Sequence, residues 1–357
     1  MAPRFSVLLP THNRADVIGY AIKSVLWQSE RDFELLIVGD GCIDGTAELV
    51  ADFRDHRIRW FGLPKAPHFG YANRNIVLKQ AKGDLVAFIA HDDIWLPDHL
   101  ELLSGYLECG SAEWAYSRPL WVSTDGLVVP VGVNLTNEDE LEYFLTEANS
   151  IPAPCVMHRR SCLEAYGYWP EDVREAADWK LWSRIIEGGG RRRLAFCRTP
   201  TALHFKAAWR AGRTGFGPAD SGLDAAALID WWPKALKLDI APGVTEQQVF
   251  FEAIAHGGAP WLAGLRLAAS DALDRIAWTA MTTLMPQRAE REEELRELTQ
   301  ELALSRRIAR RLENRASKQQ AKPQSLRRGL KSVYASRSWR LTRPLRALES
   351  LVRGWRR

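Results

Sequence analysis

The sequence is short of several things, and each shortage closes off a class of protein. Its five cysteines, Cys42, Cys109, Cys155, Cys162 and Cys197, are odd in number and contain no C-x-x-C pair. They form neither a disulfide framework nor a zinc-site spacing, and a reducing compartment suits them best. No apolar run approaches the ~20 residues that a membrane-spanning helix needs. The opening Met1-Ala2-Pro3-Arg4 leads straight into an apolar segment with no signal-peptide pattern. The expectation is a cytoplasmic protein, soluble or peripheral to a membrane. No G-x-G-x-x-G follows the first strand and no G-x-x-x-x-G-K-S/T occurs anywhere, so the glycine-rich phosphate cradles of dinucleotide and P-loop enzymes are missing. No internal repeat is present.

What remains is ample material for a core, since 46% of the 357 residues are hydrophobic. Charge is unevenly spread. Residues 1–322 carry 38 Lys and Arg against 43 Asp and Glu, a net −5, whereas residues 323–357 carry ten against one, a net +9. A slightly acidic body with a strongly basic tail suits an anionic surface, lipid or nucleic acid.

The first hundred residues alternate strand and helix signals. Apolar runs at Phe5–Leu9, Phe33–Val38, Ile58–Phe61 and Leu85–Ile89 read as strands. Between them, residues 15–28, 46–53 and 72–81 carry helical spacing, and a fourth helix begins near Asp98, after Pro97. This rhythm predicts a mostly parallel, doubly wound α/β sheet with helices on both faces. From about residue 110 the pattern changes. Asp125-Gly126 between Leu120–Val122 and Leu127–Val131 predicts a hairpin. Short helices are expected at 161–166 and 178–187, the second stopped by Gly188-Gly189-Gly190, and a strand at Leu203-His204-Phe205. Residues 216–285 read as largely helical. Residues 289–316 read as a solvated helix or a short coiled coil, with Leu295, Leu298 and Leu302 at seam spacing.

In such a sheet, ligands bind beyond the carboxyl ends of the strands. Four polar clusters fall there: Pro10-Thr11-His12-Asn13-Arg14, Gly39 to Thr46, Gly70 to Asn75, and Ala90-His91-Asp92-Asp93. Gly/Asp stretches commonly make plain turns, but four polar clusters at one sheet edge point to a ligand. Without a glycine-rich cradle, a phosphate-bearing ligand needs another neutraliser. Adjacent carboxylates at Asp92-Asp93 can supply one by holding Mg²⁺ or Mn²⁺ against diphosphate oxygens.

The string Ser6-Val7-Leu8-Leu9-Pro10-Thr11-His12-Asn13-Arg14 resembles the opening of family 2 glycosyltransferases of the GT-A fold. Val38 to Thr46 is similar to their V-D-D-G-S-T-D-G-T loop, Gly70 to Asn75 to their G-x-x-x-A-R-N segment, and Gly83 to Asp93 to the strand leading into D-x-D. The likeness covers about residues 4–105, with a looser match to about 210. Gly39 stands where the family places the first Asp of the loop, Cys42 where it places Ser, and Ala90 where many members have the first Asp of D-x-D-D.

The resemblance implies roles. Pro10, Thr11 and Asn13 would line a nucleotide pocket, and Asp40 would bind the base, typically uracil. Arg74 and Asn75 would hold the nucleotide or its sugar. Asp92 and Asp93 would handle the donor diphosphate and a Mn²⁺ or Mg²⁺ ion, joined at the metal by His204. Glu175 to Trp182 resembles the region of the family's general base, which makes Asp178 that base, with Arg184 following as a substrate contact. The expected activity is inverting transfer of a sugar from a nucleoside-diphosphate sugar, UDP-linked, to a hydroxyl of a glycan or lipid-linked acceptor. The alternatives are an inactive scaffold or a nucleotidyltransferase. Expected regions are a nucleotide-sugar half at 1–105, an acceptor and catalytic half at 106–215, a helical extension at 216–288, the charged helix or coiled coil at 289–322, able to pair two copies, and a basic amphipathic tail at 323–357. Trp339 and Trp355 among arginines suit the inner face of a membrane better than nucleic acid.

Overall fold

The computed structural model describes residues 2–190, 193–206, 226, 229–318, 323–336 and 339. Two compact units divide it, Met1–Asp274 and Arg275–Arg357.

In the first unit the expected alternation appears as β1 (Phe5–Thr11), α1 (Ile18–Leu26), β2 (Phe33–Asp40), α2 (Thr46–Asp52), β3 (Ile58–Leu63), α3 (Tyr71–Leu78) and β4 (Leu85–Phe88). Every residue of β2 is buried, as a central parallel strand covered on both faces requires. After β4 come β5 (Ile94–Trp95), α4 (His99–Glu108), β6 (Trp114–Ser117), β7 (Leu120–Val122), β8 (Val128–Pro130) and α5 (Glu138–Thr146). Then follow β9 (Val156–Arg159), α6 (Ser161–Tyr166), α7 (Ala177–Gly189), β10 (Leu194–Cys197), β11 (Ala202–Phe205) and α8 (Glu246–Thr279).

Seven strands form one sheet in the order β10-β6-β9-β4-β1-β2-β3. All neighbours are parallel except β9, which runs antiparallel to both β4 and β6. This is a mostly parallel GT-A-type sheet. A second sheet, β5-β11-β7-β8, contains the expected 120–130 hairpin. Its far side is covered by α8, which buries Phe250, Phe251, Ile254, Leu265, Ala268 and Ala272. A bidentate ion pair from Arg266 to Asp98, at 2.7 and 2.8 Å, ties α8 down.

One strand-end glycine has a steric cause. A Cβ on Gly39 would lie 2.3 Å from Cη2 of Trp60, whose indole crosses from β3 onto β2. Gly39 pairs with Gly62 in register, and Ile37 pairs with Trp60, so the ring leans along the sheet onto two glycines.

Residues 216–285, read as largely helical, hold helix over 246–285. Among the described residues, 229–245 hold only a short 3₁₀ turn at Lys234–Leu236, and α8 begins at Glu246. Pro233 and Pro242-Gly243 interrupt helix in that stretch. Gly258 kinks α8, with φ 53° and ψ −145° two residues before Pro260.

The second unit contains a π-helical turn at Ala280–Leu284, then α9 (Met285–Lys318) and α10 (Pro323–Ala335). Leu302 and Ala309 are buried on α9, while Leu295 at the same seam is 45% exposed. Arg337, Ser338 and residues 340–357, most of the basic tail expected to meet a membrane, lie outside the described residues, as do 207–225. Among the described residues no helix is long and apolar enough to cross a membrane.

Candidate active site

The strand-end loops of β1, β2 and β4 meet at one edge of the large sheet, where two cavities adjoin. The first, of about 290 Å³, is walled by Pro10, Thr11, His12 and Arg14 after β1, by Val38 and Asp40 of β2, and by Lys65, His68, Phe69 and Gly70 before α3. Asp40 is one of its polar walls. Its carboxylate accepts from Asn73 Nδ2 at 2.6 Å and from the Ala66 amide at 2.8 Å, and pairs with Lys65 Nζ. His12 Nδ1 donates to the Asp40 carbonyl at 2.7 Å, joining the first two loops. Gly70 belongs here for a steric reason. It has φ 72°, and a Cβ on it would lie 2.5 Å from Asp40 Oδ2.

The second cavity, of about 370 Å³, has aromatic walls from Phe69, Phe88, Trp121 and Trp169. Its polar groups are Asp93, His204, Asp178, Asn149, Arg74 and His91. His204 Nδ1 lies 2.9 Å from Asp93 Oδ1, which also accepts from the Phe205 amide at 3.1 Å. Asp93 is fully buried, and its Oδ2 has no hydrogen-bond partner among the described residues. Asp178 sits in the first turn of α7, after Ala176 in the left-handed region at φ 57°. Its carboxylate accepts from the Trp179 amide at 2.8 Å and from Asn149 Nδ2 at 3.4 Å. Burial raises the Asp178 pKa, partly offset by the Trp179 amide and the charge of Arg74. Pro10, Phe69, Arg74 and His91 line both cavities and form the neck between them.

The fold thus gathers Pro10, Thr11, Asp40, Arg74, Asp93, Asp178 and His204 at one continuous site. Four expected residues line neither cavity. Asn13, in the left-handed region at φ 51°, turns back so that its Oδ1 accepts from the Ile43 amide at 2.8 Å. Asn75 is buried against Trp169 and Glu171. Arg184 bonds the Tyr168 carbonyl and lies along α7. Asp92 is fully buried, with its carbonyl accepting from Gln247 Nε2 of α8 at 3.1 Å.

Of the expected metal set, Asp93 and His204 line the second cavity and Asp92 lines neither. Among the described residues no three His, Cys, Asp or Glu side chains form a metal-holding cluster. Of the two aspartates, both in the turn between β4 and β5, only Asp93 lines a cavity. Its unpartnered buried oxygen beside an imidazole still suits a hard divalent ion of the Mg²⁺ or Mn²⁺ kind. Such ions are bound by few protein ligands and by substrate phosphates.

Sequence reasoning did not single out Lys65, His68, Phe69, His91, Trp121, Asn149, Pro152 or Ala153. His91 was readable, standing beside the aspartates in the same cluster. The others carry no local signal, and tertiary folding alone brings them in.

A mostly parallel sheet with a strand-end site of carboxylates and basic groups defines a GT-A-type domain. Residues 6–131 match the family description Glycosyl transferase family 2. The UDP-Glc:alpha-D-GlcNAc-diphosphoundecaprenol beta-1,3-glucosyltransferase WfgD of Escherichia coli is 37% identical over 123 residues, 34% of this chain and 48% of that protein. The GalNAc(5)-diNAcBac-PP-undecaprenol beta-1,3-glucosyltransferase of Campylobacter jejuni is 36% identical over 107 residues, 29% of this chain and 32% of its own. An uncharacterized glycosyltransferase of Rickettsia conorii is 28% identical over 183 residues, 51% of this chain and 30% of the relative. The matches thus span half or less of these relatives' length. Among solved structures, Staphylococcus aureus TarS 1–349 in complex with UDP-GlcNAc has a TM-score of 0.46 and 21% identity, covering 60% of both chains.

Proposed function

We propose that this chain is an inverting glycosyltransferase. It moves a sugar from a nucleoside-diphosphate sugar, UDP-linked, to a hydroxyl of a glycan or lipid-linked acceptor in cell-surface polysaccharide synthesis. One observation carries the reading: a cavity lined by Asp40 adjoins, at Arg74 and His91, a second one lined by Asp93, His204 and Asp178. The named substrates of the E. coli and C. jejuni relatives are the model for the donor and the diphosphate-linked acceptor.

In this reading Asp40 and Thr11 hold the base and ribose. Arg74 meets the diphosphate at the neck, where its positive charge favours the leaving group. Asp93 and His204 would hold a divalent ion, which when bound supplies charge stabilisation at the diphosphate. Asp178 faces the sugar's side of the cavity and takes the acceptor's proton as the hydroxyl attacks. Burial raises its affinity for a proton, which suits a general base. The aromatic walls exclude water and offer faces for sugar rings. The basic tail would keep the enzyme at a cytoplasmic membrane surface near a lipid-linked acceptor.

Calorimetric titration with UDP, GDP and dTDP, each with and without Mn²⁺, tests the donor site. Tight, metal-dependent binding of UDP is expected. A folded protein that binds none of the three overturns the reading.

A further inference from the structure

We propose that Asn75 is a positioning residue, acting through Trp169 to fix the Arg74 guanidinium at the neck between the two cavities. This rests on the donor-site reading above.

Arg74 and Asn75 are neighbours on α3 and face different ways. Arg74 lines both cavities, while Asn75 is 3% exposed and lines neither. The Asn75 amide grips the main chain of Trp169 at both groups. Its Oδ1 accepts from the Trp169 N–H at 3.0 Å, and its Nδ2 donates to the Trp169 carbonyl at 2.8 Å. Nδ2 also donates to Glu171 Oε1 at 2.7 Å. A side chain thus plays the part of a neighbouring strand and leaves the 169–171 segment little freedom.

The Trp169 ring is where that grip matters. It stacks on Tyr71 at 5.8 Å and meets Phe88 and Trp182 edge-on at 5.6 and 5.9 Å. The Arg74 guanidinium carbon lies 4.8 Å from the Trp169 ring and 5.0 Å from Tyr71. Among the described residues Arg74 makes no ion pair with a carboxylate, its Nη2 donates to the Phe69 carbonyl at 3.0 Å, and its Nε is buried without a partner. An arginine seated on ring faces rather than locked to a carboxylate keeps its charge for a ligand. It is only as well placed as the rings beneath it, and misplacement of about 1 Å can cost about 100-fold.

The test uses the full chain and UDP as probe. Titrations of wild type, Asn75→Ala, Trp169→Leu and the double variant form a cycle. Each single change is expected to weaken UDP about tenfold, and the double no further than the weaker single. Additive losses, about 100-fold in the double, are the pattern of Asn75 touching the nucleotide itself and overturn the proposal. So does unchanged UDP affinity in Asn75→Ala. Hydrogen exchange of the Trp169 amide without nucleotide reads the grip directly. At least tenfold faster exchange in Asn75→Ala and in the milder Asn75→Ser is expected, and unchanged protection overturns the proposal. Failure of wild type to bind UDP, GDP or dTDP overturns the donor-site reading and this proposal with it. Wild-type binding with an additive cycle overturns this proposal alone.

Discussion

The cavity around Asp40 draws its walls from residues 10–91, the stretch whose alternating strands and helices define the sheet. The adjoining cavity reaches from Pro10 to His204 and takes Trp121, Asn149, Trp169 and Asp178 from separate segments. The first is lined by loop backbone and charged groups, the second by aromatic rings around two carboxylates. A nucleotide needs fixed donors and acceptors, which strand-end loops supply locally. A sugar and its acceptor need a walled, water-poor space, which only long-range packing builds. The two cavities should therefore fail differently when altered, and four experiments sharpen that contrast.

The largest effect is expected at the second cavity. Asp178→Asn should lower kcat by about 10³-fold, within the range for removal of a general base, while UDP binding by calorimetry stays within about twofold. Near-wild-type turnover would assign the base elsewhere. Next, Asp93→Asn and His204→Ala should each cost about 100-fold in activity and abolish the metal dependence of UDP binding. Asp92→Asn should cost far less, since its carboxylate lines neither cavity. Equal losses at Asp92 and Asp93 would break the assignment of the metal to Asp93.

At the first cavity the loss should fall on binding. Asp40→Ala is expected to weaken UDP by about 10- to 100-fold, the scale of a charged hydrogen bond, with saturated turnover largely kept. The smallest effect concerns pH. As the proposed base, Asp178 would have to be ionised to act, and burial raises its pKa. Activity should therefore fall on acidification through a midpoint above the usual carboxylate range, in a profile of kcat against pH. The same shift has a stability consequence of definite sign. The folded state favours the protonated carboxyl, so this contribution is present below the unfolded pKa and lost as pH rises through the folded one. Asp178→Asn should remove that pH dependence from thermal unfolding.

The sequence carried the first cavity well because its signals are local. β1, β2 and β4 are apolar runs ending in polar turns, and each turn contributes to the walls. It did not show β9, the antiparallel strand Val156–Arg159 between β4 and β6, because four residues buried mainly on both faces have no period to read. Nor could it say which of 15 tryptophans face a cavity. Trp121 and Trp169 do so, whereas Trp114 and Trp182 lie wholly in the core. Adjacent residues were the hardest to separate. Arg74 and Asn75, or Asp92 and Asp93, share one motif, yet the backbone turns only one of each pair towards the site.

The indole of Trp60 over Gly39 bears on how this sequence came to depart from its relatives. Where the family loop has an aspartate, this chain has a glycine whose missing side chain makes room for a ring 21 positions further on. With Trp60 in place, any side chain at 39 would have to displace the ring. The absence of a side chain at 39 therefore has a packing cause in the fold itself, the indole of Trp60.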